Sequence, residues 1–161
     1  MAETDVLGDL DVSELSPTQR KALEVLALGG TLKDLRGLSN DDLETIYSIG
    51  YNLYNQNQYQ QAEPMFQFAC FYGHTEPRYW MALANCRQML KKYQAAIDAY
   101  GFSFMLDIKD PWPAIQTALC YLAMANKDLA RESLDLADKT IQNGTPNETA
   151  RLRVAALRQA L

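Results

Sequence analysis

The chain has 161 residues, 48% of them hydrophobic, with a formal net charge of -5 and a pI near 4.8. That length suits one domain with a sizeable core. The acidic balance excludes the basic stripe of a nucleic-acid surface and disfavours an anionic membrane, which leaves other proteins as the default partner.

The first eleven residues are broken by Asp5, Asp9 and Asp11, whereas a secretory signal needs a positive start and an apolar run. No apolar stretch approaches the ~18 residues of a membrane span. The expectation is a cytoplasmic chain whose residues 1–15 are disordered. Ser16-Pro17-Thr18-Gln19 then supplies an N-cap, a proline at the first helical position and a reciprocal glutamine. A helix over about 16–28 follows, closed by Gly29-Gly30, and a linker from Thr31 to Leu38 completes an N-terminal unit over 16–38.

From there a repeat sets the pattern. A step of 34 residues relates Gly50, Ala84 and Ala118; Ala62, Ala96 and Ala130; Phe66, Tyr100 and Leu134; and Ala69, Ser103 and Ala137. Side-chain size is kept at each site without an insertion. Small residues let two helix backbones approach, and the large residue fills the gap beside them. This period and pattern resemble the tetratricopeptide repeat (TPR). Three helix pairs are expected over 39–142, in units of about 43–76, 77–110 and 111–144. Ser39-Asn-Asp-Asp42 places acids in the first turn, Glu76-Pro77 and Asp110-Pro111 punctuate the junctions, and Asn143-Gly144 stops the last pair. Pro64 reads as lying near the start of its helix. Thr145-Pro146-Asn147-Glu148 opens a capping helix over 145–161, which covers the apolar end that stacked repeats expose. The fold class is all-α: three tandem helix pairs between an N-terminal helix and a C-terminal cap, wound as a right-handed superhelical solenoid.

Cys70, Cys86 and Cys120 are odd in number and have no C-x-x-C spacing, so they read as buried reduced thiols; Cys86 and Cys120 are themselves one repeat apart. His74 is the only histidine, which excludes a His-based metal cluster. No catalytic or phosphate-binding motif occurs, and no cofactor, metal or catalytic residue is expected.

The first helix of each pair lines the concave side of a solenoid. Its inward positions hold Glu44, Tyr47, Tyr51, Tyr54 and Asn55 in the first repeat. The second contributes Arg78, Met81, Asn85, Gln88 and Met89, and the third Trp112, Ile115, Leu119, Leu122 and Ala123. His74 stands at the groove's edge. Surplus Tyr, Met, Trp and aliphatic residues at positions the repeat does not use for packing mark a binding surface. Asn85 and Gln88 can bond the backbone of an extended peptide. The residues expected to bind a peptide are therefore Tyr47, Tyr51, Tyr54, His74, Met81, Asn85, Gln88, Met89, Trp112, Ile115, Leu119 and Leu122. Surplus apolar residues elsewhere, Leu23, Leu26, Phe68, Phe71 and Tyr72, suggest a dimer interface.

Several runs resemble one family. They are Gly29-Gly-Thr-Leu32, Gly37-Leu-Ser39, Leu43-Glu-Thr-Ile-Tyr47, Tyr51-Asn-Leu-Tyr54, Tyr79-Trp80, Cys86-Arg-Gln88, Tyr93-Gln-Ala-Ala-Ile97, Asp110-Pro111 and Cys120-Tyr-Leu-Ala123. Together they are similar to the class II chaperones of bacterial type III secretion, the LcrH/SycD group, over about residues 16 to 160. The resemblance implies a homodimeric cytoplasmic chaperone. It would hold an extended apolar N-terminal segment of hydrophobic translocator proteins and keep them soluble and apart until secretion. It also implies that some members act with a transcription activator. The sequence departs from the family at Gln56-Asn57-Gln58, where a glycine turn is usual, at Met81–Ala84, and at Trp112. The alternative is a generic TPR scaffold or a co-chaperone that clamps an acidic C-terminal tail. A clamp needs several converging Lys, Arg and Asn residues, and Arg78 is the one clear basic candidate.

Overall fold

The computed structural model describes Pro17, residues 37–144 and residues 146–161. The expected disordered start, the helix over 16–28 and most of the linker lie outside the described residues. Among the described residues seven complete helices follow one another, with no strand. They are α1 (Asn40–Asn55), α2 (Tyr59–Tyr72), α3 (Pro77–Met89), α4 (Tyr93–Leu106), α5 (Trp112–Ala123), α6 (Lys127–Asn143) and α7 (Glu148–Gln159). Each packs on the next, α1 also touches α3, and α7 lies against both α6 and α5. This is an all-α TPR solenoid.

The helix starts follow from short polar side chains. Ser39 accepts the N–H of Asp42 at 3.1 Å, and the Asp42 carboxylate accepts the N–H of Ser39 at 2.8 Å, a reciprocal capping box. Glu76 caps α3 with Pro77 at its first position, and Asp110 Oδ1 accepts the N–H of Trp112 at 3.0 Å. The expected box over Thr145–Glu148 is corrected. The cap of α7 is Asn147, whose side chain accepts the N–H of Ala150 at 2.9 Å. Asparagine is as good a cap as threonine and stands one residue before the helix. Pro64 is also corrected, for it lies inside α2, beyond the first turn. It is exposed, so water can satisfy the carbonyl that its missing N–H leaves open.

The turn within each pair repeats as faithfully as the helices. Asn57, Lys91 and Ala125, spaced by the repeat step, have φ of 60°, 60° and 59°. In each turn the N–H of this residue bonds a carbonyl three back: Asn57 to Tyr54, Lys91 to Gln88 and Ala125 to Leu122. The next N–H bonds a carbonyl five back: Gln58 to Leu53, Lys92 to Arg87 and Asn126 to Tyr121. These are Schellman closures, which satisfy carbonyls the helix end leaves open and require a left-handed residue. Glycine takes that conformation without strain, yet none of the three is glycine.

The interior is built where the repeat places its small residues. Ala62, Ala84, Ala96, Ala118 and Ala130 are all 0% exposed. A Cβ on Gly50 would stand 2.9 Å from the Phe66 ring. Two cores result. The first joins α1 to α4 around Phe66, Tyr79, Leu83 and Tyr100 and takes in Cys120. The second joins Ala114, Ile115 and Ala118 of α5 to Leu134, Ala137 and Ile141 of α6 and Ala150, Val154 and Leu157 of α7. All three cysteines are buried and unpaired. Burial pushes the thiols up, Cys70 to about 12 and Cys86 and Cys120 to about 11, which keeps them protonated and unreactive.

Two substitutions separate these contributions. Ala125→Gly relieves the left-handed turn at an exposed position and is expected to stabilise the chain by about 1 kcal/mol. Ala96→Leu overfills a closed contact and is expected to cost about 1–3 kcal/mol. Opposite shifts in urea midpoint check both.

Candidate functional site

Tyr47, Tyr51 and Tyr54 are spaced by four and three residues, so they form one stripe along α1. Arg78, Met81, Ala82 and Asn85 form the matching stripe on α3. Between them lies a cavity of about 250 Å³, also lined by Phe66 of α2, Ser103 of α4, and Pro77, Asp107 and Asp110. Alanine contacts bring the helices together, so the aromatic rings, which cannot fit that interface, stand along its open side.

The rings brace one another. Tyr47 lies 6.2 Å from Tyr51 in a stacked arrangement, 5.8 Å from Phe66 and 5.4 Å from Tyr79, centroid to centroid. Tyr54 meets Tyr59 edge-on at 5.2 Å. These contacts fix the rings before any partner arrives and lower the ordering cost of binding.

One rim is polar. Glu44 and Arg78 occupy equivalent positions of adjacent repeats, and Arg78 Nη2 donates to Glu44 Oε1 at 2.8 Å. Tyr79 O–H donates to the same oxygen at 2.7 Å, and Arg78 Nε donates to Glu76 Oε1 at 3.1 Å. The Arg78 guanidinium also lies 5.6 Å from the Tyr47 ring centre. The Tyr79 hydroxyl, then Arg78, hold the Glu44 carboxyl below its ordinary value of 4.5, against desolvation that raises it. Arg78 is thus engaged by two carboxylates and an aromatic face. Asp107 and Asp110, in the turn after α4, add two carboxyls to the lining; burial raises the Asp110 carboxyl above its ordinary range.

The structure sorts the expected peptide-binding residues. Tyr47, Tyr51, Tyr54, Met81 and Asn85 come together around the cavity. Ile115 is corrected: it is 0% exposed and belongs to the second core. The inward stripe of α5 is turned into the contact with α6 and α7, so a position that faces the groove in α1 and α3 is closed there. Trp112, Leu119 and Leu122 are half-buried against the same core and do not line the cavity. Met89 is exposed at the end of α3, away from the cavity. His74 is exposed, and its carbonyl, not its ring, is engaged, accepting the Trp80 indole N–H at 2.8 Å. Gln88 is half-exposed, does not line the cavity, and its amide bonds the Tyr100 hydroxyl. Sequence reasoning missed Ser103, Asp107 and Asp110. They come from the second helix of a pair and the turn after it, whereas the repeat pattern assigns groove positions only to the first helix of each pair.

Of the expected dimer surface, Leu23 and Leu26 lie outside the described residues. Phe71 is 59% exposed, while Tyr72 rests between it and Phe68 at 4.9 and 4.6 Å. Among the described residues no group of three or more His, Cys, Asp or Glu could hold a metal ion, and no helix is long and apolar enough to cross a membrane.

The tetratricopeptide repeat family matches residues 43–75 and 77–110. The chain is 32% identical over 133 residues to low calcium response locus protein H of Yersinia pestis, covering 83% of this chain and 79% of that one. The Yersinia enterocolitica type III secretion translocator chaperone SycD superposes with a TM-score of 0.76 at 32% identity, covering 82% of this chain and 98% of that one. The same chaperone solved with a peptide of the translocator YopD gives a TM-score of 0.70 at 32% identity, covering 76% and 93%.

The rim has a testable pH signature. Because its folded pKa is lowered, Glu44 contributes stability that is present above 4.5 and is lost as pH falls through the folded value. With side chains 54% and 44% exposed, the Arg78–Glu44 bridge contributes no more than about 1 kcal/mol. Glu44→Gln is expected to lower the thermal midpoint at neutral pH, and the difference from the native chain should vanish in acid.

Proposed function

The chain belongs to the LcrH/SycD family of type III secretion chaperones, and from that premise we propose that it binds an extended apolar N-terminal segment of hydrophobic translocator proteins in its concave groove. Binding there would keep the translocators soluble and apart in the bacterial cytoplasm before secretion. The observation that carries this reading is the braced aromatic cavity between α1 and α3, together with the YopD peptide held by the related SycD. The cavity is apolar on its walls and open along one side, so it suits side chains presented by a strand-like segment. The chain would work by binding alone, with no catalytic step. Each anchor buried contributes roughly 1.5–3 kcal/mol before ordering costs.

The site residues divide by what their loss does. Tyr47 touches Phe66 and Tyr79 of the first core, so its removal would cost stability as well as affinity. Tyr51 is 50% exposed and is the cleaner probe. Tyr51→Ala is expected to weaken the binding of a translocator N-terminal peptide about tenfold while leaving the thermal midpoint nearly unchanged. Unchanged affinity with a lowered midpoint would reverse the assignment and make Tyr51 a packing residue.

A homodimer through the face that carries Phe71 belongs to the same proposal. The solvent-facing ring of Phe71 and its neighbours Phe68 and Tyr72 form an aromatic cluster that association would cover. Phe71→Asp is expected to shift the chain to monomer in sedimentation while peptide affinity holds, because this face lies on α2 and the cavity's open side lies on α1 and α3. A dimer that survives the change would place the interface elsewhere.

A further inference from the structure

We infer that Tyr100 is a positioning residue: its buried hydroxyl locks the amides of Asn85 and Gln88 in opposite senses, so that the centre of the groove binds the main chain of an extended segment through both its N–H and its C=O. The inference rests on the groove reading above and names the part of the partner recognised there.

Tyr100 is 0% exposed. Its hydroxyl stands 2.7 Å from Oδ1 of Asn85 and 2.5 Å from Oε1 of Gln88. A phenol has one proton and donates one hydrogen bond. It can donate to one of these amide oxygens, and the second would then set lone pair against lone pair at hydrogen-bond distance. The conflict ends when the second amide turns over, since its two ends are nearly identical in shape, and its NH2 donates to the Tyr100 oxygen. One amide then shows its NH2 away from Tyr100, and the other shows its carbonyl oxygen. A peptide unit offers the matching pair, one acceptor and one donor.

Placement agrees. Asn85 lines the cavity, and Gln88 is half-exposed three residues on, along the same face of α3. The other repeats lack the device. At the Tyr100 position they carry Phe66 and Leu134, at the Asn85 position Tyr51 and Leu119, and at the Gln88 position Tyr54 and Leu122. Main-chain recognition is therefore confined to the middle repeat, with aromatic carbon before it and aliphatic carbon after it. A segment that fits has apolar anchors on either side of a residue whose peptide group is left bare. Pinning by Tyr100 also removes the rotamer freedom that two free amides would lose on binding.

The test is a cycle between chain and peptide. The probes are synthetic peptides tiling the N-terminal region of the chain's translocator, and ester analogues of the tightest binder with one backbone amide replaced at a time. An ester loses the N–H and weakens the carbonyl. At one or two neighbouring central positions it is expected to weaken binding to the native chain by up to about tenfold. Tyr100→Phe is expected to weaken the all-amide peptide by a similar factor and to be indifferent to those same esters. A merely structural role would lower the thermal midpoint and weaken amide and ester peptides alike. Asn85→Ala, at a half-exposed position, carries the same cycle if Tyr100→Phe does not fold. Ester penalties that persist undiminished in the variant overturn the inference while the groove reading stands. Failure of every tiled peptide to bind the native chain overturns both.

Discussion

The distance at which one helix backbone can approach the next governs this chain. Ala62, Ala96 and Ala130 have no exposed surface, and Gly50 cannot gain even a methyl group without meeting Phe66. Close contact at these points sets the spacing of neighbouring helices, and a single large side chain, Phe66, Tyr100 or Leu134, fills what remains. The rings of α1 have no room in those contacts and stand along the open side. The cavity is thus a product of packing, and its walls are rigid because the core behind them is.

Charge decides between the two ways such a groove could be used. Clamping an acidic tail requires cations free to meet carboxylates. Among the residues that line the cavity, Arg78 is the basic one, and it is engaged by Glu44 and Glu76. Asp107 and Asp110 add two acidic groups to the same lining. An acidic peptide would meet repulsion there, whereas an apolar segment loses nothing. The co-chaperone alternative is the weaker reading on this ground. Fixing the rim costs the chain little, since the same bridge ties the first repeat to the second.

Much of this was legible in the sequence because repeats encode packing directly. The step through Gly50, Ala84 and Ala118 identified the helix pairs, and the positions it left over identified Tyr47, Tyr51, Tyr54, Met81 and Asn85. Periodicity carried the reading too far in the third repeat. It treated Ile115 as equivalent to Tyr47 and Met81, but the third pair is followed by α7, which shares a core with Ile115 and closes that position. A period describes a unit and says nothing of what packs against the last one. Asp107 and Asp110 were hidden for a different reason: they lie in the junction after α4, and groove residues were sought only on the first helix of each pair. The left-handed turn residues were hidden because Asn57, Lys91 and Ala125 share a backbone conformation and no side-chain chemistry.

The two cores meet in a single helix. Cys120 of α5 faces the first, while Ala114, Ile115 and Ala118 face the second. Mechanically the domain is two blocks hung on one axle. The cavity belongs to the first block, and the second touches it through that axle and the short turn that carries Asp110. Each interior keeps its own side of that helix, so a change in one core reaches the other chiefly through α5.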